Sequence, residues 1–212
     1  GFGIFRVRWC EASTMLIPSD QTGLYDPPKG TTMSLFLVEA ELDTSDRAGS
    51  SAAIAAIAAA YAATGGSLVE AQVPSSHAHA FVILEGDECA GVVLDAADLP
   101  GVTVIGEAVP VRIVGATIDE VRSRGTAAGY LVEWDIPEEI TMVKYLASKE
   151  AKAPLYDGLD DVAFLRTYVR EDTQKCLCFY DADTEAAVRN ARDVVSTPIS
   201  RLHELDGAAT TA

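Results

Sequence analysis

A repeated strand sequence constrains this chain more than any other feature. Residues 35–42 read LFLVEAEL and residues 129–136 read GYLVEWDI, and the shared Leu-Val-Glu sets Leu37 against Leu131 at an offset of 94. Self-similarity at a fixed spacing means that one structural unit occurs twice. The segments after the two copies match in order and type, so whatever the first half folds into, the second half folds into a version of it.

In the first copy, Leu35–Leu42 reads as a strand and Ser50-Ser51 as helix N-cap candidates. A helix is expected over 52–63, where Ile54, Ile57 and Tyr61 share one face, with Gly65-Gly66 ending it. Leu68–Val73 and Ala80–Glu85 read as strands around a turn at 74–79. A second helix is expected over 88–97 and a last strand over Val109–Val114, and Val102–Ile105 has no place in the scheme. In the second copy, strands are expected at Tyr130–Ile136, Val162–Val169, Cys176–Tyr180 and Ile199–Leu205. Helices are expected at 138–152 and at 185–195 behind a Thr184 cap, with a hairpin turn at 171–174.

Each half thus runs strand, helix, strand, strand, helix, strand, the order of a ferredoxin-like split βαβ unit. The predicted class is α+β: two tandem ferredoxin-like βαββαβ domains. Right-handed crossovers place both helices on one face of each four-stranded sheet, in strand order 4-1-3-2, and leave the other face bare. An apolar bare face needs a partner. The simplest partner is the other half, giving an internal pseudo-dimer packed sheet to sheet in the manner of a dimeric α+β barrel. The predicted organisation is an extension or linker at 1–32, a degenerate domain at 33–115, a linker at 116–128, a second domain at 129–206, and a frayed tail from 207 to 212.

Charge narrows the partners. Acidic residues outnumber basic ones 32 to 16, for a net charge of −16. Nucleic acids and anionic lipid surfaces need clustered Lys and Arg, so neither is an expected partner. No apolar run is long enough for a membrane span. The N-terminus lacks a secretory pattern, since Arg6, Arg8 and Glu11 interrupt its apolar residues. The four cysteines, Cys10, Cys89, Cys176 and Cys178, do not suggest a disulfide framework, and the expected compartment is reducing cytosol.

The second half also resembles a known family. The segments that carry the resemblance are Val132-Glu133-Trp134, Phe164-Leu165-Arg166-Thr167-Tyr168, Leu177-Cys178-Phe179-Tyr180-Asp181-Ala182 and Glu185-Ala186-Ala187-Val188. Over about 128–206 they resemble an actinobacterial family of small ferredoxin-like domains, often labelled nickel-binding. The resemblance implies the fold and raises a divalent metal such as nickel as a cofactor. Members of that family look His-rich, whereas this chain has only His77, His79 and His203. The nickel function therefore does not transfer residue by residue.

Two constellations stand out. His77-Ala78-His79 places two imidazoles two apart on extended chain, a spacing that can hold one metal ion, although a solvated hairpin turn is the plainer reading. Glu133 lies on a central strand, as Glu39 does in the first copy, and such a carboxylate must be paired or face a wet pocket. Arg166 is the expected partner of Glu133, with Tyr168, Tyr180 and His203 lining a polar cleft on the bare sheet face. In the first copy Glu70 or Ala71 stands in place of Arg166 and Leu84 in place of Tyr180, which puts the site in the second half. Cys176 and Cys178 share a strand face with Tyr180 and read as small buried residues.

No Gly-rich phosphate loop, nucleophile elbow or His-Glu-x-x-His motif occurs. The expected function is a small-ligand or metal-ion binding protein, with the ligand held between the paired sheets. The alternatives are a cofactor-free enzyme of the dimeric α+β barrel kind, a monooxygenase or isomerase, and a structural interaction module.

Overall fold

A computed structural model of the chain describes residues 34–86, 92–124, 128–206 and 210–211. The expectations for 1–32 lie outside the described residues. Helices and strands are mixed around one large antiparallel sheet, which makes the class α+β. Among the described residues, no helix is long and apolar enough to cross a membrane.

The first half contains β1 (Ser34–Leu42), α1 (Arg47–Ala62), β2 (Ser67–Gln72), β3 (His79–Gly86), β4 (Val102–Ile105) and β5 (Val109–Val114). Helix α2 (Ile118–Arg124) follows. The second half contains β6 (Tyr130–Asp135), α3 (Met142–Lys152), β7 (Val162–Arg170), β8 (Lys175–Ala182), α4 (Glu185–Val194) and β9 (Arg201–Glu204). A short β10 (Thr210–Thr211) ends the described chain.

The strands occur in the order β10-β2-β3-β1-β5-β7-β8-β6-β9, with β4 beside β1. The halves are joined through β5 and β7, where Val111 faces Arg170 and Ile113 faces Tyr168. The far ends also meet. Pro74 bridges Leu205, Ser75 N donates to Glu204 O at 2.8 Å, and Asp206 N donates to Val73 O at 2.9 Å. The sheet therefore curls until its two ends touch, which removes most of its exposed edge.

Strand alternation then sorts the side chains into three cores. The inner face buries Leu37, Val69, Phe81, Ile83 and Val111 from the first half against Leu131, Tyr168, Leu177 and Phe179 from the second. On the outer face of the first half, Phe36, Val38, Val82 and Leu84 pack under Ile54, Ile57 and Tyr61 of α1. On the outer face of the second half, Val132, Val169, Cys176, Cys178 and Tyr180 pack under Tyr145 of α3 and Val188 and Ala191 of α4.

Several expectations change. Helix α1 starts five residues early because Asp46, not Ser50 or Ser51, caps it, its carboxylate accepting from Gly49 N at 2.8 Å. Its end is as expected, with Gly65 at φ +89° and Gly66 N donating to Tyr61 O. The helix expected at 88–97 does not form in its described part. Residues 92–95 are irregular, and Ala96–Asp98 is a single 3-10 turn capped by Asp95. The unplaced Val102–Ile105 is β4, paired to β1 through Ala40 and Ile105. The stretch 116–128, expected to be a plain linker, holds α2, and Val121 of that helix is buried in the inner core. Thr210–Thr211 of the expected frayed tail pairs with Glu70 and Ala71 of β2.

Candidate functional site

The polar residues of the inner face form two separate clusters. In the first, Arg166 of β7 donates Nε to Glu70 Oε1 of β2 at 2.8 Å and Nη2 to Glu70 Oε2. Tyr168 donates its hydroxyl to the same carboxylate at 2.5 Å, and Gln72 adds a bond at 3.0 Å. Glu70 and Arg166 are each 1% exposed, and the guanidinium lies 4.7 Å over the Phe179 ring. This corrects the expected Glu133–Arg166 pair. Both β2 and β7 slip register at a bulge, between Leu68 and Glu70 and between Phe164 and Arg166. The bulges re-aim Glu70 and Arg166 inward, towards each other across the seam. Burial first, then the neighbouring Glu70 carboxylate, pushes the Tyr168 hydroxyl far above its ordinary range.

Glu133 belongs to the second cluster. It takes His203 Nε2 at 2.7 Å, Arg201 Nε at 2.9 Å and Lys175 Nζ at 2.7 Å. Lys175 also reaches Glu39 at 2.8 and 2.9 Å, so one ammonium joins the matching carboxylates of the two halves. Burial raises both carboxyls, but the bonds from His203, Arg201 and Lys175 to Glu133, and from His79 and Lys175 to Glu39, outweigh it and hold both below the ordinary value. His203, expected in a cleft with Glu133, is one of its partners here, whereas Lys175 and Arg201 were not expected.

The expected five-residue cleft does not assemble. Tyr180 faces outward with Tyr130 and Cys178, because it is an odd number of residues from the inward Leu177 and Phe179. The imidazoles of His77 and His79 do not converge either. His77, in the left-handed region at φ +56° and only 8% exposed, meets Ser50 Oγ at 3.1 Å. His79 stacks on Phe81, with Nε2 3.8 Å from Glu39 Oε2. Among the described residues no group of three or more His, Cys, Asp or Glu is placed to hold a metal ion.

A pocket lies instead on the outer face of the second half. Helix α3 begins at the Thr141 cap, and Tyr145, Ser148, Lys149 and Lys152 recur at the spacing of one helical face. With Trp134 of β6 and Tyr156 of the 3-10 turn at Ala153–Gly158, they enclose a cavity of about 240 Å³. Lys144, Ile140, Val195 and Thr197 complete the lining.

Below this pocket is an unusual charge arrangement. Lys149 Nζ donates to Thr167 Oγ1 at 3.0 Å and to Cys178 Sγ at 3.5 Å, and sits 4.6 Å over the Phe164 ring. Arg192, 1% exposed, sends Nη1 to Cys178 Sγ at 3.5 Å and to Tyr180 Oη at 3.4 Å, and Nη2 to Pro198 O. Neither cation pairs with a carboxylate among the described residues. Cys178 Sγ also takes Thr167 Oγ1 at 3.2 Å and lies 3.8 Å from Cys176 Sγ. The Cys176 hydrogen bond, aided by Lys149, Arg192 and Thr167, holds the Cys178 thiol well below the ordinary range despite full burial. Burial and the same neighbour push Cys176 up. Tyr145, 2% exposed, keeps a buried hydroxyl without a hydrogen-bond partner, as does Arg192 Nε. Sequence reasoning missed this site. The face formed by Tyr145, Ser148, Lys149 and Lys152 was the available signal, but its polar residues weakened the helix pattern.

Comparison with known proteins adds little detail. No curated protein matches the chain. A solved crystal structure of an inferred monooxygenase from Lactobacillus acidophilus NCFM is 10% identical, covers 85% of this chain and 96% of its own, and superposes with a TM-score of 0.46. Residues 130–205, the second half that carries the pocket, match the family described as nickel responsive protein SCO4226-like.

Proposed function

We propose that this chain is a small-ligand binding protein and that the ligand occupies the pocket between α3 and the outer sheet face of the second half. One observation carries the reading: a cavity of about 240 Å³ walled by the rings of Trp134, Tyr145 and Tyr156 and edged by Lys144, Lys149 and Lys152. Binding sites for small molecules combine apolar and aromatic walls with a few fixed polar groups.

The scaffold of this pocket is read in the same way. Two degenerate ferredoxin-like domains, about 33–115 and 129–206, account for the shared strand order, β2-β3-β1-β5 in one half and β7-β8-β6-β9 in the other. The equivalent bulges before Glu70 and Arg166 support the same reading. The first half then serves as the built-in partner of the second.

The side chains present bear on the nickel in that family's description. At the inner cluster the place between Glu39 and Glu133 is filled by the Lys175 ammonium, with Arg201 beside it. At the outer cluster the thiols face Lys149 and Arg192, and two cations within 3.5 Å of a sulfur repel a divalent metal. These residues do not fit a resident nickel ion.

The test uses Trp134 as its own reporter. In a Trp9→Phe background, Trp134 is the sole tryptophan. A fragment panel should yield ligands that shift its fluorescence and raise the melting temperature. Ser148→Phe, which fills the cavity from α3 without adding a tryptophan, should abolish both signals. Ligands that stabilise the filled variant equally would refute the assignment.

A further inference from the structure

The pocket and the charge cluster beneath it share Lys149, so they form one electrostatic unit. Lys149, which lines the pocket, and the nearly fully buried Arg192 both reach the Cys178 sulfur, and among the described residues neither pairs with a carboxylate. Lys144 and Lys152 add two more ammonium groups to the lining, in a chain whose net charge is −16. A basic concavity in so acidic a protein focuses potential on anions. Of the lining groups, Trp134, Tyr145, Tyr156 and Ile140 offer apolar and aromatic surface.

Resting on the pocket reading above, we propose that the ligand is an organic carboxylate with a flat apolar body. Its carboxylate is held by Lys149, its body lies against Trp134 and Tyr156, and it competes with the Cys178 sulfur for the Lys149 ammonium.

The chemistry of each part matches. A carboxylate accepts charge-assisted bonds from an ammonium, and bonds of this kind are about twice as strong as neutral ones. The Cys176 hydrogen bond, with Lys149, Arg192 and Thr167 behind it, holds the Cys178 thiol well below its ordinary range, and Lys149 lies 3.5 Å from the sulfur. A ligand that draws the Lys149 ammonium upward weakens that stabilisation and lowers thiolate character. Ligand binding and thiolate character are thereby linked with opposite sign.

Two isosteric probes separate this inference from the reading on which it rests. Binding of 2-naphthoate and of 2-naphthamide is followed by Trp134 fluorescence in the Trp9→Phe protein. Naphthoate should bind at least about tenfold more tightly than the amide. Lys149→Met should remove that preference, and Lys149→Arg should retain part of it, which a mere loss of folding would not do. Saturating naphthoate should lower the ultraviolet absorbance of the thiolate, with Cys178→Ser as the blank. Equal affinity for the two probes would overturn the carboxylate inference and leave the pocket standing. Binding of neither would remove both, and naphthoate binding without a change in thiolate absorbance would overturn the coupling to Cys178.

Discussion

Removing the Glu70 carboxylate should destabilise the whole molecule, because the charge it balances belongs to the other half. Glu70→Leu leaves Arg166, 1% exposed, without the bidentate partner that β2 supplies, and takes the acceptor from Tyr168. Breaking a buried ion pair from one side costs about 3–5 kcal/mol, since the remaining charge stays desolvated. For a chain of this size each kcal/mol lowers Tm by about 2–4 °C, so a drop of about 6–20 °C is expected. The double variant Glu70→Leu, Arg166→Met should recover most of the loss, because replacing both charges with apolar groups is close to neutral. Urea unfolding of the wild type, both single variants and the double variant closes a mutant cycle. A coupling of at least about 2 kcal/mol is expected, near the upper part of the range for contacting residues. Additive single effects, or a Glu70→Leu loss below about 1 kcal/mol, would refute the argument that this pair ties the halves together.

Three more outcomes test other parts of the structure. Glu39 and Glu133 are held below their ordinary value of 4.5, so their contribution is fully present above that pH and is lost as pH falls through their lowered values. Unfolding free energy measured from neutral to acid pH should therefore decline below about 4.5, and Lys175→Met should flatten that decline. Tyr145→Phe removes a buried hydroxyl with no partner and should raise the stability of the free protein by about 1 kcal/mol, opposite in sign to an ordinary core substitution. Thr184→Ala deletes the oxygen that accepts from Ala187 N at 3.2 Å and should cost about 1 kcal/mol in thermal unfolding.

The legible parts of the fold were those with local causes. Alternation placed most of the strands, because a strand with a buried face must repeat its apolar residues every second position. The Gly65-Gly66 stop and the Thr184 cap were readable because each rests on one residue's own conformational or hydrogen-bonding capacity. The helix expected at 88–97 lacks a regular helix in its described part, since apolar composition over so short a stretch does not separate a helix from buried irregular chain. Helix α2 was missed because its sequence, IDEVRSR, offers a single strongly buried residue, Val121.

The candidate site divides in the same way. Sequence alone determined that Glu133 needs a partner, that Cys176, Cys178 and Tyr180 share a face, and that the second half resembles the nickel-responsive family, because strand parity and residue order are one-dimensional properties. The tertiary structure decided who the partners are. It gave Arg166 to Glu70 rather than to Glu133, through bulges that shift the register of two strands. It set Lys175 between Glu39 and Glu133, residues far apart in the chain. It also brought Lys149 and Arg192 from different helices onto one sulfur. Pairing of charges depends on distance through space, and only closure of the sheet fixes those distances.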